Sequence, residues 1–328
     1  MNLDAKVLLS FIRAGGQFVS GTEIGDSLGL SRVSVHNHLE TLRKEGFTFS
    51  AIRNKGYRLE AEPVTFHPAL FAALLEDNPC PFFDSYIALT EVDSTNSLAE
   101  LELSKGRTTP FFVAADEQTA GRGRRGRNWF SPEKKNIYLS IALRPTLPPS
   151  RLQTITLWLG MRICQLLRDK FALPVLIKWP NDLILHDRKI AGMLTEARVD
   201  AEQTRDLIFG LGLNVNAREA DFPEDIANMA SSLALNTGKA INLSRLAHSL
   251  VHCLASAVQE YLDDQYVDEL AALWPEYDYL RGQVVEAGDI RGRVLGINNA
   301  GSLRLEREDG STMLLHSGEV SIGSGNLA

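Results

Sequence analysis

The apolar positions of the first sixty residues fall at helical spacing and then switch to strand spacing. Val7, Leu8, Phe11 and Ile12 mark a first helix. Ser20-Gly21-Thr22-Glu23 reads as a capping box opening a second, with Ile24 and Leu28 turned inward and Gly29 able to end it in the left-handed conformation. Ser31 caps a third helix running to about Glu45, where Val35, Leu39 and Leu42 at i, i+4 and i+7 make one core stripe. Val33, Asn37 and Lys44 fall opposite that stripe. Helix, glycine-containing turn, helix is the helix-turn-helix pattern. Phe49 to Leu59 then predicts a hairpin with Asn54-Lys55-Gly56 at its tip, a wing able to touch phosphates. In such motifs the start of the second helix reaches base edges. Arg32, Val33, Ser34, His36 and Asn37 are therefore the expected DNA-binding residues, with Arg53 and Lys55 on the wing.

Beyond residue 62 the pattern changes. Four prolines punctuate residues 61–82 and leave a linker with a short helix around Ala69 to Leu75. Strands are predicted at Tyr86 to Leu89, Phe111 to Ala115, Val175 to Ile177, Leu183 to Leu185, Lys189 to Glu196 and Leu207 to Asn216. Asn136 to Arg144 alternates, which predicts a strand with one buried face. A long apolar helix is expected over Leu152 to Asp169, and two more over Leu243 to Leu262 and Tyr266 to Trp274. Many strands with few helices between them indicate an α+β domain on a mixed or antiparallel sheet. From Arg281 onward, short strands separated by turns such as Asn299-Ala300-Gly301 predict a small barrel.

Composition adds limits. At 328 residues, two or three domains are expected. Cys80, Cys164 and Cys253 are few and far apart, which suggests neither a disulfide framework nor a cysteine zinc site. The start reads as no signal peptide and no apolar run is long enough to span a membrane, so a cytoplasmic location is expected. The net charge of −7 argues against a protein that coats nucleic acid. Residues 31–58 depart from it, with six basic residues against Glu40 and Glu45, a local net of +4. One DNA-facing surface on a body with other work follows.

The chemistry concentrates in Gly121-Arg122-Gly123-Arg124-Arg125-Gly126-Arg127, directly after a buried strand and followed by Trp129-Phe130. Glycine lets the backbone wrap a ligand closely, and arginine offers a charged, planar fork for carboxylate or phosphate oxygens. Taken alone the run also reads as a solvated basic loop. Ser94, Thr95 and Asn96 sit at a strand-to-helix turn, placed for a small polar ring and equally ordinary as caps. The phosphate-binding loop patterns of the doubly wound nucleotide-binding folds are absent. His248 and His252 have metal-ligand spacing, but their helix is otherwise apolar and the pair reads as packing, so no metal ligands are assigned.

Glu117 to Arg127, Lys178-Trp179-Pro180-Asn181-Asp182, Lys189-Ile190-Ala191-Gly192 and Gly210-Leu211-Gly212-Leu213-Asn214 occur in one order and together resemble the biotin protein ligases. With the helix-turn-helix in front, the chain is similar to their bifunctional ligase and repressor class over its whole length. The resemblance implies a winged helix-turn-helix over 1–62, a linker over 63–82, a mixed-sheet catalytic domain over 83–276 and an SH3-like β-barrel over 277–328. It implies a two-step reaction: biotin and ATP give biotinyl-5′-AMP, then a lysine of the biotin carboxyl carrier protein of acetyl-CoA carboxylase accepts the biotin. Mg2+ is expected with ATP. Two anions must meet and charge grows at the α-phosphate, so fixed cations are the main need. Arg122, Arg124, Lys189 and Lys178 are the expected catalytic cations, and Asp182 is placed to orient the incoming amine and take its proton.

By the same resemblance Ser94, Thr95, Asn96, Gln118, Gly121, Arg122, Gly123, Arg124 and Lys189 bind biotin. Arg124, Arg127, Trp129, Asn181 and Asn214 face the nucleotide. Arg218 to Leu235 is the expected nucleotide-contacting loop, with no adenine-stacking residue assigned. A homodimer carrying biotinyl-AMP would bind operator DNA of the biotin operon. Two other readings stand beside this one: a ligand-sensing repressor without ligase activity, opposed by the intact Arg122, Arg124, Asp182 and Lys189, and a lipoate-type acyl ligase, opposed by the paired loop and Lys-Trp-Pro-Asn-Asp motifs.

Overall fold

Side-chain caps set the N-terminal helices. In the computed structural model, which describes residues 1–200 and 203–323, α1 (Leu3–Arg13) is capped by Asn2. The helix α2 (Gly21–Leu28) carries both halves of the Ser20–Glu23 capping box and stops at Gly29 with φ 68°. Ser31 Oγ accepts from the Ser34 amide at 3.1 Å and opens α3 (Arg32–Lys44). Val35, Leu39 and Leu42 pack with Val7, Leu8, Phe11 and Ile24 in one core. The wing is the antiparallel pair β1 (Thr48–Ile52) and β2 (Gly56–Ala61). It lies beside the start of α3, since Tyr57 and the Arg32 stem flank the same glycine, Gly21.

Residues 63–82 hold a helix, α4 (Pro68–Asp77), that belongs to two cores at once. Ala69, Leu70, Ala73 and Leu74 complete the N-terminal core, while Phe71 and Leu75 join the central one. Polar contacts fix the same junction: Glu62 pairs with Arg245 at 2.5 Å, and the His67 amide donates to Ser244 Oγ at 2.9 Å. His248 and His252 converge on the carbonyl of Asn78 at the end of α4, at 3.2 and 3.1 Å.

The central domain runs β3 (Ser85–Val92), α5 (Thr95–Ser104), β4 (Phe111–Gln118), β5 (Asn136–Leu143), α6 (Leu152–Phe171), β6 (Leu176–Lys178), β7 (Asp182–Leu185), β8 (Arg188–Asp200) and β9 (Gln203–Asn214). The helices α7 (Leu233–Thr237), α8 (Leu243–Leu262) and α9 (Tyr266–Tyr277) follow. Its seven-stranded sheet has the order β3-β4-β5-β9-β8-β7-β6. Only β3 and β4 run parallel, so the sheet is mixed. One expectation fails here: β5 is buried at all eight positions and not on one face only. It sits inside the sheet, with α8 against one face and α5 against the other. Among the described residues no helix is long and apolar enough to cross a membrane.

The C-terminal strands β10 (Val284–Ala287), β11 (Ile290–Ile297), β12 (Leu303–Glu306), β13 (Thr312–Leu315) and β14 (Ser321–Ile322) form an antiparallel sheet of order β13-β12-β11-β10-β14. The expected barrel is open among the described residues, because β13 and β14 are edges that do not pair. This sheet is fastened to the central domain: Trp179 Nε1 donates to the Gly301 carbonyl at 2.9 Å, and the Tyr279 amide to that of Ile177 at 2.9 Å.

Candidate active site

A cavity of about 800 Å³ opens where the ends of β6, β8 and β9 meet the glycine–arginine loop and the segment after β13. Its two ends differ in chemistry. One end is neutral and polar. Ser94 caps α5, and the Thr95 amide and Oγ1 both donate to Gln118 Oε1, at 2.8 and 3.1 Å. Gln118 Nε2 donates to Ser131 Oγ at 2.9 Å, which donates to the Trp129 carbonyl at 3.0 Å. Ser140 Oγ lies 2.7 Å from Thr95 Oγ1 and 2.6 Å from Asn96 Oδ1. These groups hold one another in place and leave little rotational freedom to lose on binding.

The other end is cationic. The loop folds back on itself, with the Gly123 amide donating to the Arg127 carbonyl at 2.7 Å and the Trp129 amide to Gly121 at 2.8 Å. Arg124 Nη1 donates to Asn181 Oδ1 at 3.1 Å and to the Gly318 carbonyl at 3.2 Å. Burial pulls its guanidinium below its ordinary pKa, with neighbouring Arg125 adding to the effect. Arg127 pairs with Glu319, so the C-terminal sheet closes this side. Lys189 Nζ lies 2.8 Å from Asp182 Oδ1 and 5.1 Å from the Trp129 ring centre, a cation–π distance. That carboxylate oxygen is buried and accepts no well-directed hydrogen bond despite the ion pair. Lys178 lines the same wall and has no ion pair among the described residues.

Two glycines of β9 make the floor. A methyl group on Gly210 would stand 2.2 Å from Asn96 Oδ1, and one on Gly212 the same 2.2 Å from Trp129 Nε1. Both side chains therefore lie directly on backbone. Trp129 Nε1 is buried against the Gly212 backbone and finds no acceptor among the described residues.

Of the residues singled out in the sequence, Ser94, Thr95, Asn96, Gln118, Arg122, Gly123, Arg124, Arg127, Trp129, Lys178, Asn181, Asp182 and Lys189 line this one cavity. Gly121 is packed beneath the loop against Ser131 and the Trp129 carbonyl. Asn214 is buried off the cavity, its Nδ2 donating to the Ser231 carbonyl at 3.1 Å. In the Arg218 to Leu235 stretch, Phe222 is buried against Ala217 and Ala230 and is not presented to the cavity.

Sequence reasoning missed Glu196, whose two carboxylate oxygens receive Asn96 Nδ2 at 2.8 Å and Arg122. It also missed Ser140, legible only as a hydroxyl within an apolar strand. The segment Ser317 to Ser321, which lines the cavity, carries no sequence signal at all.

On the N-terminal helix-turn-helix and its wing, Arg32, Val33, His36, Asn37, Arg53 and Lys55 are exposed and Ser34 is half-buried. Arg32, Arg53 and Lys55 make no ion pair among the described residues, whereas Arg43 pairs with Glu40 and Arg58 with Glu60.

Asp116, on β4 just before Gln118, is buried and accepts from the Lys134 amide at 3.1 Å where the loop ends. Burial raises its pKa to about 6, above the ordinary carboxylate range. A raised folded pKa means stability that is complete below the unfolded value near pH 4 and lost as pH rises through about 6. Asp116→Asn keeps an acceptor for Lys134 and removes the buried charge. It should therefore stabilise the protein by up to about 3 kcal/mol at pH 7.5 and leave it nearly unchanged at about pH 3, as read by chemical denaturation at both values.

The pattern of the biotin/lipoate A/B protein ligase family matches residues 88–214. An HTH domain matches 5–58, and the biotin protein ligase C terminal domain matches 281–323. The chain is 33% identical to the bifunctional ligase/repressor BirA of Salmonella typhimurium over 329 residues, covering 98% of this chain and 99% of that protein. It is 31% identical to that of Bacillus subtilis over 318 residues, 95% of this chain and 96% of the other. Among solved structures, the biotin protein ligase from Aquifex aeolicus in complex with biotin and ATP superposes with a TM-score of 0.61 at 28% identity. That match covers 74% of this chain and 99% of the other.

Proposed function

The chain belongs to the biotin protein ligases, in their bifunctional ligase/repressor branch, and from that premise we propose how its residues divide the work. The protein is an ATP-dependent biotin–protein ligase with a DNA-binding repressor domain. What supports the division is one observation: a single cavity with a neutral hydrogen-bonding end and a cationic end.

Ser94, Thr95, Asn96 and Gln118 hold the uncharged ring system of biotin, with Gly121 and Gly123 letting the loop close on it. The biotin carboxylate is then carried toward Arg122, Arg124 and Lys189. Its oxygen forms a bond to the α-phosphorus of ATP as the bond to pyrophosphate breaks. Charge grows on the non-bridging oxygens in that step, where Arg124 and Lys189 stabilise it most. Lys178 stands further along the same wall. Arg127, Trp129 and Asn181 contact the nucleotide; Asn214 acts through the Ser231 segment it fastens.

Mg2+ bound together with ATP would supply charge neutralisation at the phosphates. Asp182, a carboxylate on the cationic wall beside Lys189, would be a protein contact for the ion, in keeping with the sparse protein share usual for it. In the second step the lysine amine of a biotin carboxyl carrier protein attacks the acyl carbon, the bond to AMP breaks, and Asp182 takes the proton from nitrogen.

The repressor half needs two copies, since one small module makes few DNA contacts. Biotinyl-AMP orders the loop and favours a homodimer that sets two α3 helices on a two-fold operator; a carrier protein competes for the same surface. Ligand affinity for the DNA-competent state and DNA affinity of the liganded state are linked. Biotin with Mg2+-ATP should therefore tighten binding to a duplex selected from a randomised pool by at least about tenfold, measured by fluorescence anisotropy. Equal affinity with and without the two substrates would remove the coupling.

A further inference from the structure

Val33 is 69% exposed, the highest value among the exposed large hydrophobic residues described. It stands in the first turn of α3, the part of such a helix that enters the major groove. Nothing in the fold requires an apolar side chain there, because the core stripe Val35, Leu39 and Leu42 lies on the other side. Its surroundings suit an anionic partner: Arg32, Arg53 and Lys55 are exposed and make no ion pair among the described residues, and residues 31–58 carry the net of +4. His36 and Asn37, three and four positions on, share its face and are exposed.

Base edges in the major groove offer acceptors, donors and one apolar group, the C5-methyl of thymine. Valine can neither donate nor accept, so this methyl is the one base feature it can recognise by contact. Against cytosine it would cover the N4 amine and leave a donor unpaired, which costs more than a missing contact. Resting on the DNA-binding reading above, we propose that Val33 is a specificity-determining residue that reads the methyl group of a thymine in each operator half-site.

The test uses the full chain with biotin and Mg2+-ATP, and a duplex selected from a randomised pool. Each thymine is replaced in turn by deoxyuridine, which removes one methyl and keeps base pairing, and affinity is read by anisotropy. One position per half-site should weaken wild-type binding about fourfold, the worth of one buried methyl. Val33→Ala should bind the parent duplex more weakly and be indifferent at that same position. Alanine is a better helix former at an exposed site, so the variant folds, which its melting temperature checks.

Equal deoxyuridine sensitivity in wild type and variant would overturn the proposal and leave Val33 on a sugar or a protein surface. Failure to select any duplex would overturn the repressor reading itself, and the proposal with it.

Discussion

Arg124→Ala is expected to slow biotinyl-AMP formation by about a hundred- to a thousandfold, with a smaller rise in the KM for biotin. The asymmetry follows from where the guanidinium sits. Its hydrogen-bond partners are neutral, Asn181 Oδ1 and the Gly318 carbonyl, so it is held in place without a direct ion pair, Asp182 and Glu319 acting on it only through space. A cation aimed at charge that develops only in the transition state affects kcat more than ground-state binding. Arg124→Lys should recover only part of the rate, since an ammonium keeps the charge and loses the planar set of donors that can meet two phosphate oxygens side by side. The thermal midpoint should change little, because the loop contributes no residue to the main core. Pyrophosphate release in single-turnover mixing reads the effect directly.

Gly210→Ala should lower kcat/KM for biotin by about a hundredfold while the fold survives. The backbone at Gly210 is ordinary strand, paired with Ser140 on one side and Leu194 on the other, and alanine adopts it without strain. The added methyl, however, would stand 2.2 Å from Asn96 Oδ1. Asn96 is 4% exposed and already tied to Ser140 and Glu196, so it cannot swing away cheaply. Displacing a positioning group by about 1 Å is enough for a loss of that size. Overpacking should cost about 1–3 kcal/mol of stability, so folded protein remains for assay. A biotin KM that stays at the wild-type value would remove Asn96 from the ring-binding set.

How much of this could be read in advance depended on how local each cause is. The capping box at Ser20 to Glu23 and the stripe Val35, Leu39, Leu42 are settled within one or two helical turns, and both formed as written in the chain. The arginine loop and the Lys178 to Asp182 turn announce themselves by composition, and they line one cavity. What could not be read is set by distant partners. Arg122 meets Glu196 across 74 residues, and Arg124 meets Gly318 across 194. Neither acid nor carbonyl carries a local mark of that duty. The alternation in Asn136 to Arg144 pointed to one wet face. The sheet order put β5 between β4 and β9, and helices covered both its sides. Likewise α4 shows an apolar run in the sequence, but not that its two faces serve separate cores. The first four C-terminal strands were legible one by one; β14 and the open order were not.

The central claim is that one cavity both activates biotin and passes it to a protein lysine. The most direct measurement is the intact mass of a biotin carboxyl carrier domain after incubation with the purified full chain, biotin and Mg2+-ATP. A gain of one biotinyl group, absent without ATP and much slowed with Arg124→Ala, is the predicted result. Tight biotin binding with no mass gain on the carrier would contradict the account and leave a ligand-sensing repressor in place of the ligase.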